Sequence, residues 1–151
     1  MRLIIAMAVT AVVLPTAALA ETWLPVAKGG AHVSYADPDA LTGDDGEVVV
    51  REMKVYDPPI TFDGQTIQAR IVNYRFACDT TRFKILDVEN VDENGKSLGV
   101  SPVAEDWREP VAAGTIGDKL AAFGCGRMSM DPNGAVTRSS AIRDGRWMLS
   151  Q

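Results

Sequence analysis

The chain contains two cysteines, Cys78 and Cys125, and they restrict its fold more than any other feature. With no third cysteine, only one intramolecular pairing exists, and a disulfide is the expected state in an oxidising compartment. Closing so long a loop stabilises a fold by about 4 kcal/mol in the chain-entropy model. The alternative is a nucleophilic or metal-binding cysteine, but a nucleophile needs a neighbouring base and His32 is the only histidine. We therefore predict a disulfide between Cys78 and Cys125.

An oxidising location is itself predicted by the first twenty residues, which have the three parts of an export signal. Arg2 supplies a positive charge, Leu3–Leu14 is almost wholly apolar, and Ala18–Ala20 has the small-x-small pattern that signal peptidase accepts. We expect cleavage between Ala20 and Glu21. An uncleaved anchor is the alternative, but the apolar run is short for a span of about 20 residues.

The chain after this cut has the size of one domain. It contains 131 residues once residues 1–20 are removed from 151, which is enough to bury a core without help from a metal. No cysteine precedes Cys78, so we expect no lipid anchor, and no later segment is apolar enough to cross a bilayer. We predict a signal peptide at 1–20, a domain at 21–126 and a C-terminal tail at 127–151, in a periplasmic or secreted protein.

The charge of the chain argues against a nucleic-acid partner. The formal net charge is −5, and it becomes −6 when Arg2 leaves with the signal. An acidic protein repels phosphate backbones and anionic lipid surfaces at long range.

Most of the domain has the alternating pattern of β-strands. The predicted strands are bounded by turn sequences such as Asp63-Gly64 and Asn94-Gly95. The strand at Glu47–Tyr56 is expected to end at Asp57-Pro58-Pro59. In the strand at Ile67–Cys78, alternate residues form an apolar face that ends in Cys78.

One amphipathic helix follows the strands. Thr115 and Asp118 have the spacing of a capping pair, and Gly126 is a natural stop. Ile116, Leu120 and Phe123 form a single apolar stripe. This spacing places the stripe and the terminal Cys125 where both could dock on a sheet.

The tail at 127–151 is mostly polar apart from Trp147-Met148-Leu149. We expect it to form an extra hairpin or to be partly disordered, and the sequence does not decide between the two.

The order of these features resembles the surface-adhesin protein E family of exported bacterial proteins. The motifs that carry the resemblance are Trp23 with Val26, Tyr35–Pro38, Val48–Pro58, Tyr74–Cys78, Trp107–Val111, Gly114–Gly117 and Leu120–Cys125. Together they extend over most of the chain after residue 22.

The resemblance implies an α+β fold: a curved antiparallel sheet with a C-terminal α-helix packed on one face and tied to it by the Cys78–Cys125 disulfide. It also implies adhesion to a host matrix or envelope protein. The best-known members carry a lipid anchor, and this chain lacks the cysteine that such an anchor needs.

No catalytic, cofactor or metal site is predicted. His32 has no second ligand nearby and is interpreted as a surface or packing residue. The acidic run Asp44–Glu47 lacks the ligand spacing of a calcium loop. The carboxylates of Asp87, Glu89, Asp92 and Glu93 are not fixed as a pair by strand geometry, since neighbouring residues point to opposite faces.

Two hypotheses about function follow. The first is a non-enzymatic binding protein that uses an exposed sheet face or edge, where an open strand could add a partner strand or pair with a second copy as a homodimer. The second is a periplasmic small-ligand carrier or enzyme with a site assembled from scattered side chains. A deep pocket lined by converging polar groups would favour the second hypothesis.

Overall fold

Within residues 21–151, six strands form one antiparallel sheet in which the spatial order of the strands is their order in the chain. The computed structural model describes residues 21–151, and the predicted export signal lies outside these residues. The strands are β1 (Leu24–Lys28), β2 (His32–Asp44), β3 (Glu47–Phe62), β4 (Gln65–Ala77), β5 (Phe83–Val91) and β6 (Ser97–Pro102). Tight turns at Asp45-Gly46, Asp63-Gly64 and Asn94-Gly95 join neighbouring strands, as this type of sequence predicts.

β3 continues beyond Pro58 and Pro59, where the sequence pattern predicted its end. Its pairing with β4 is interrupted between Val55 and Ile60 and then resumes to Phe62. Pro58 and Pro59 lie inside this interruption, where no ladder hydrogen bond has to be donated. The expectation that Asp57-Pro58-Pro59 stops the strand was therefore wrong.

Both faces of the sheet are buried, each under its own helix. One face carries Val48, Val50, Val72, Tyr74 and Phe76, which pack with Leu120, Ala121 and Phe123. The other carries Val33, Tyr35, Met53, Val55 and Ile71, which pack with Ala141 and Ile142. The alternation of side chains along each strand sends neighbouring residues to opposite faces and so produces two cores from one sheet.

α1 (Ile116–Gly124) confirms the predicted helix and its capping signal. Thr115 is the N-cap, and its side chain accepts a hydrogen bond from the Asp118 backbone nitrogen at 3.2 Å. The Asp118 carboxylate accepts a bond from the Gly114 nitrogen at 2.9 Å. The predicted disulfide is confirmed as well: Cys78 and Cys125 are bonded, with 5.6 Å between their Cα atoms. It joins the end of the helix to the end of β4.

The tail holds a second helix, which the sequence pattern did not predict. A 3-10 turn at Pro132–Gly134 leads to α2 (Arg138–Leu149), which packs on β2 and β3. The expectation of a hairpin or partly disordered tail was wrong. The buried residues of α2 are Ala141, Ile142 and Gly145, so its contact stripe is made mainly of small side chains. A Cβ atom built on Gly145 would lie 3.0 Å from the Cβ of Val55, so glycine allows the close approach of helix and strand.

A partly buried ionic network ties α2 to the sheet and to Glu21. Arg138 bonds the Glu21 carboxylate at 2.6 Å and the Glu89 carboxylate at 3.1 Å. Arg51, on β3, contacts Glu21 at 2.8 Å, Asp37 at 3.2 Å and Glu89 at 3.3 Å. The pKa of Glu21 is lowered: burial alone would raise it, and the hydrogen bonds and charges of the two guanidinium groups outweigh that effect.

The connection between the two helices covers part of the β1 edge. The backbone groups of Trp23 and Val136 exchange hydrogen bonds at 2.9 and 3.0 Å. Pro25, in the same strand, has no N–H to offer a further strand, and the β1–β2 register shifts beside it. The N-terminal end of this edge is therefore occupied by the protein's own chain, and Pro25 offers no donor to a further strand.

Candidate functional site

A groove of about 880 Å³ lies on the α1 face of the sheet. Its floor is formed by side chains of β2 to β5, namely His32, Glu52, Lys54, Tyr74, Phe76 and Phe83. Its wall is formed by residues 107–112, by the first turn of α1 and by Leu120. We call this site the groove. It is large enough for a small molecule or for several side chains of a partner protein.

The groove exists because α1 is shorter than the sheet it covers. A helix of nine residues is about 13 Å long, whereas β3 has 16 residues. Val48 and Val50 lie under α1, and the next two residues on the same face of β3 are Glu52 and Lys54. The floor of the groove is thus the part of this face where the strand changes from apolar to charged residues.

Glu52 is the most unusual residue of the floor, because it is a charged side chain that is only 1% exposed. The Ser34 hydroxyl donates a hydrogen bond of 2.6 Å to one of its oxygens. The Lys54 ammonium lies 3.4 Å from the other oxygen and 5.6 Å from the centre of the Tyr74 ring. The carboxylate is therefore compensated by a cation and a hydroxyl, as a buried charge must be.

The protonation states around this pair follow from burial. Burial raises the pKa of Tyr74, and the adjacent Glu52 carboxylate raises it further. Burial and the charge of Lys54 lower the pKa of His32, while Glu52 acts in the opposite direction. At neutral pH the groove consequently presents a phenol at Tyr74 and a neutral imidazole at His32.

The other half of the groove is aromatic. The Tyr74, Phe76 and Phe83 rings have their centroids within 6.0 Å of each other. The Arg108 guanidinium lies 5.7 Å from the Phe83 ring, and the Lys84 ammonium lies 5.0 Å from the Trp107 ring. The groove thus combines apolar rings with charged groups at their faces. Such surfaces provide the main binding energy in many protein interfaces.

The structure places the sequence-predicted candidates in different regions. His32 lies at the polar end of the groove, and Glu89 belongs to the ionic network on the opposite face. Trp23 is buried in the core, whereas Trp147 is 65% exposed on α2. Of the two residues at the predicted signal cut, Glu21 is held by Arg51 and Arg138, and Ala20 lies outside the described residues.

Sequence reasoning missed Glu52, Lys54 and Trp107 as parts of one site. A signal for the first two was present, because they share a strand face with Val48 and Val50 in a segment long enough to cross a sheet. Charged residues on the covered face of an interior strand indicate a buried polar site. Trp107 lies in an irregular segment, and only the fold brings it to the sheet.

Residues 21–151 contain no group of three or more His, Cys, Asp or Glu side chains placed to hold a metal ion. In the same part of the chain, no helix combines the length and the hydropathy of a membrane span.

These features define a small α+β protein, stabilised by one disulfide, with an open antiparallel sheet, a helix on each face and an amphipathic groove beside the first helix. The family model of surface-adhesin protein E matches residues 23–126, and the chain belongs to this family. The resemblance predicted from the motifs is therefore confirmed. The family suggests an adhesin-like protein with an exported or surface location. Neither the curated proteins nor the solved structures contain a match to the chain.

Proposed function

We propose that this protein is an exported, non-enzymatic binding protein whose groove contacts a partner protein of the host matrix or of the bacterial envelope. The observation that carries the proposal is the groove itself, in a chain of an adhesin family. Export follows the predicted cleavage between Ala20 and Glu21 and delivers the protein to the periplasm or beyond the cell.

The composition of the groove supports a protein partner. Hot spots of protein interfaces are enriched in Trp, Tyr and Arg, and the groove has Tyr74 on its floor and Trp107 and Arg108 in its wall. Trp107 is half-buried against Lys84, so much of its ring is ordered before any partner arrives. Side chains that are already ordered lose less conformational entropy on binding.

A matched pair of tryptophan variants tests this proposal. The mature protein, residues 21–151, would be immobilised and exposed to purified matrix proteins and to envelope proteins in separate assays. For each partner that binds, Trp107→Ala should weaken binding at least tenfold, the usual scale of a hot-spot residue. Trp147→Ala, an exposed tryptophan on the other face, is the control and should bind as the wild type does.

Loss of binding with Trp147→Ala but not with Trp107→Ala would move the contact surface to α2 and refute the groove as the contact site. Equal affinity of both variants and the wild type would refute it as well.

A small-ligand carrier is a second candidate, and the convergence of four polar side chains on the floor favours it. His32, Glu52, Lys54 and Tyr74 all line the groove, and its volume is in the range of small-molecule sites. Native mass spectrometry of protein purified gently from the periplasm should then show a bound molecule of constant mass. Glu52→Gln should release this molecule. A spectrum with the protein mass alone would argue against a carrier.

A further inference from the structure

The segment that forms the wall of the groove is attached at both ends to the same turn of the sheet. It runs from Arg108 through α1 to Cys125, and we call it the strap. At its first end, the Arg108 backbone nitrogen donates a hydrogen bond to the Phe83 carbonyl at 2.7 Å. At its last end, Cys125 is bonded to Cys78. Cys78 and Phe83 lie on either side of the β4–β5 turn, so this turn fixes where the strap begins and where it ends.

One side chain of the turn binds two consecutive carbonyl groups at the start of the strap. Arg82 donates through Nε to the Arg108 carbonyl at 3.2 Å and through Nη2 to the Trp107 carbonyl at 3.1 Å. A planar guanidinium presents its donors as a rigid fork, which a lysine ammonium does not reproduce. Hydrogen bonds from an ionised donor are also roughly twice as strong as bonds between neutral groups. Arg82 is therefore the side chain that holds the first end of the strap in place.

The strap has few other bonds to the sheet near this end. The Val111 nitrogen donates to the Thr81 carbonyl at 3.1 Å. Residues 112–115 are exposed, and within the described chain they make no backbone hydrogen bond to the sheet. Their position beside the groove therefore depends on the anchored residues before them and on α1 after them.

The floor of the groove contains the only histidine of the chain, His32. A Cβ atom built on Gly29 would lie 3.3 Å from Cδ1 of Ile116 and 3.8 Å from Cε1 of His32. The imidazole is thus close to the first turn of α1, and it is partly buried. The rate at which a reagent modifies His32 consequently reports how open the groove is.

We propose that Arg82 is a positioning residue of the groove. By holding the start of the strap on the β4–β5 turn, it keeps the groove in the shape that a partner contacts. Within residues 21–151, Arg82 is not among those that line the groove, and it acts through the backbone of Trp107 and Arg108. The proposal rests on the proposed function in that it takes the groove to be the binding site.

Hydrogen exchange on the mature protein tests the anchoring. Arg82→Gln removes the fork, so the amides of Arg108 and Val111 should exchange about tenfold faster, because local opening breaks their bonds to the sheet. Arg82→Lys keeps the charge and should show nearly the same rates, since charge alone does not hold two carbonyls. Arg75→Gln is the matched control. This arginine of β4 pairs with Glu47 at 3.6 Å, and its replacement should leave both amides unchanged.

The accessibility of His32 tests the shape of the groove without any partner. Diethylpyrocarbonate at pH 7, followed by mass spectrometry, should modify His32 about threefold faster in Arg82→Gln than in the wild type, because a loosened strap opens the groove more often. Arg75→Gln should react as the wild type does. A partner that binds the groove should bind Arg82→Gln about fivefold less tightly, since only molecules with the strap in place are competent. Melting temperatures establish that the variants are folded.

Four outcomes would overturn the proposal: unchanged exchange at Arg108 and Val111 in Arg82→Gln, faster exchange spread evenly over the sheet, equal modification of His32 in Arg82→Gln and the wild type, or an unchanged affinity of a groove partner for Arg82→Gln. Failure of the groove as a contact site would appear in the Trp107→Ala assay instead. The exchange and modification rates are measured without a partner, so the two proposals fail independently.

Discussion

α1 and α2 cover the same sheet from opposite sides, and both pack on β2 and β3, but they are held in different ways. α1 docks through the large side chains Leu120 and Phe123 and is bonded to β4 through Cys125. α2 docks through Ala141, Gly145 and one large residue, Ile142, and is held by ion pairs of Arg138. The first helix relies on apolar volume and a covalent bond. The second relies on the close approach of its backbone to β3 and on the ion pairs of Arg138.

The largest effect in this comparison should come from the disulfide. Cys78→Ser and Cys125→Ser should each lower the free energy of unfolding by about 4 kcal/mol, because the open chain gains entropy when unfolded. Urea denaturation without reductant measures this loss. The double variant should be no less stable than either single variant. Reductant should lower the free energy of unfolding of the wild type to that of the variants. If the fully reduced wild type remained more stable than the variants, the disulfide would not be the source of the difference in stability.

Truncation of the large residue that anchors each helix should lower the free energy of unfolding by a similar amount in the two cases. Leu120 and Ile142 are each 1% exposed, so Leu120→Ala and Ile142→Ala should each lower the free energy of unfolding by about 3 kcal/mol. Limited proteolysis distinguishes the sites of loosening: the first variant should become sensitive near α1 and the second near α2. Cleavage at both helices in either variant would mean that the helices do not dock independently.

A substitution at Gly145 tests whether the close approach of α2 to β3 constrains the fold. Alanine normally stabilises a helix interior by about 1 kcal/mol relative to glycine, but a Cβ at Gly145 would press on Val55 at 3.0 Å. We expect Gly145→Ala to lower the free energy of unfolding by about 1 kcal/mol, since overpacking outweighs helix propensity. Ser139→Ala, at an exposed position of the same helix, is the control and should not destabilise. A more stable Gly145→Ala variant would refute the close approach as a constraint.

The smallest effect should come from the ionic network and should depend on pH. The pKa of Glu21 is lowered in the folded state. Its contribution to stability is therefore complete above the ordinary carboxyl pKa of 4.5 and is lost as the pH falls through the lowered value. The difference in melting temperature between wild type and Glu21→Gln should be constant at pH 6–7 and should shrink toward pH 3. Glu47→Gln, which removes a more exposed partner of Arg75 at 3.6 Å, should show a weaker effect because solvent screens that pair. An unchanged difference at pH 3 would contradict the assignment to Glu21.

The same contrast explains what could be predicted from the sequence. α1 was predicted because Ile116, Leu120 and Phe123 recur at helical spacing and Thr115 caps the helix. α2 was missed because its fully buried stripe has only one large residue, Ile142, beside Ala141 and Gly145, and because its tryptophan, Trp147, is 65% exposed. The periodicity of large hydrophobic residues reveals helices whose contact face is built from large apolar side chains. It does not reveal helices whose contact face is built mainly from glycine and alanine.

The groove was beyond sequence reasoning for a similar reason. The alternation of β3 placed Glu52 and Lys54 on one face, but only the strand order reveals that this face is covered and that Ser34 lies within 2.6 Å of Glu52. The segment at 107–112 gave no periodic signal at all. Strand order and loop position depend on contacts far apart in sequence, which local patterns do not contain.

The path of the chain between its two helices has a consequence for self-association. By laying Val136 against Trp23, it pairs the N-terminal end of the β1 margin, whereas the outer side of β6 has no backbone partner within residues 21–151. Head-to-tail stacking of sheets into a filament needs two reactive margins on every molecule. Where the molecule's own chain occupies part of one margin, repetition of the same edge contact from molecule to molecule is disfavoured.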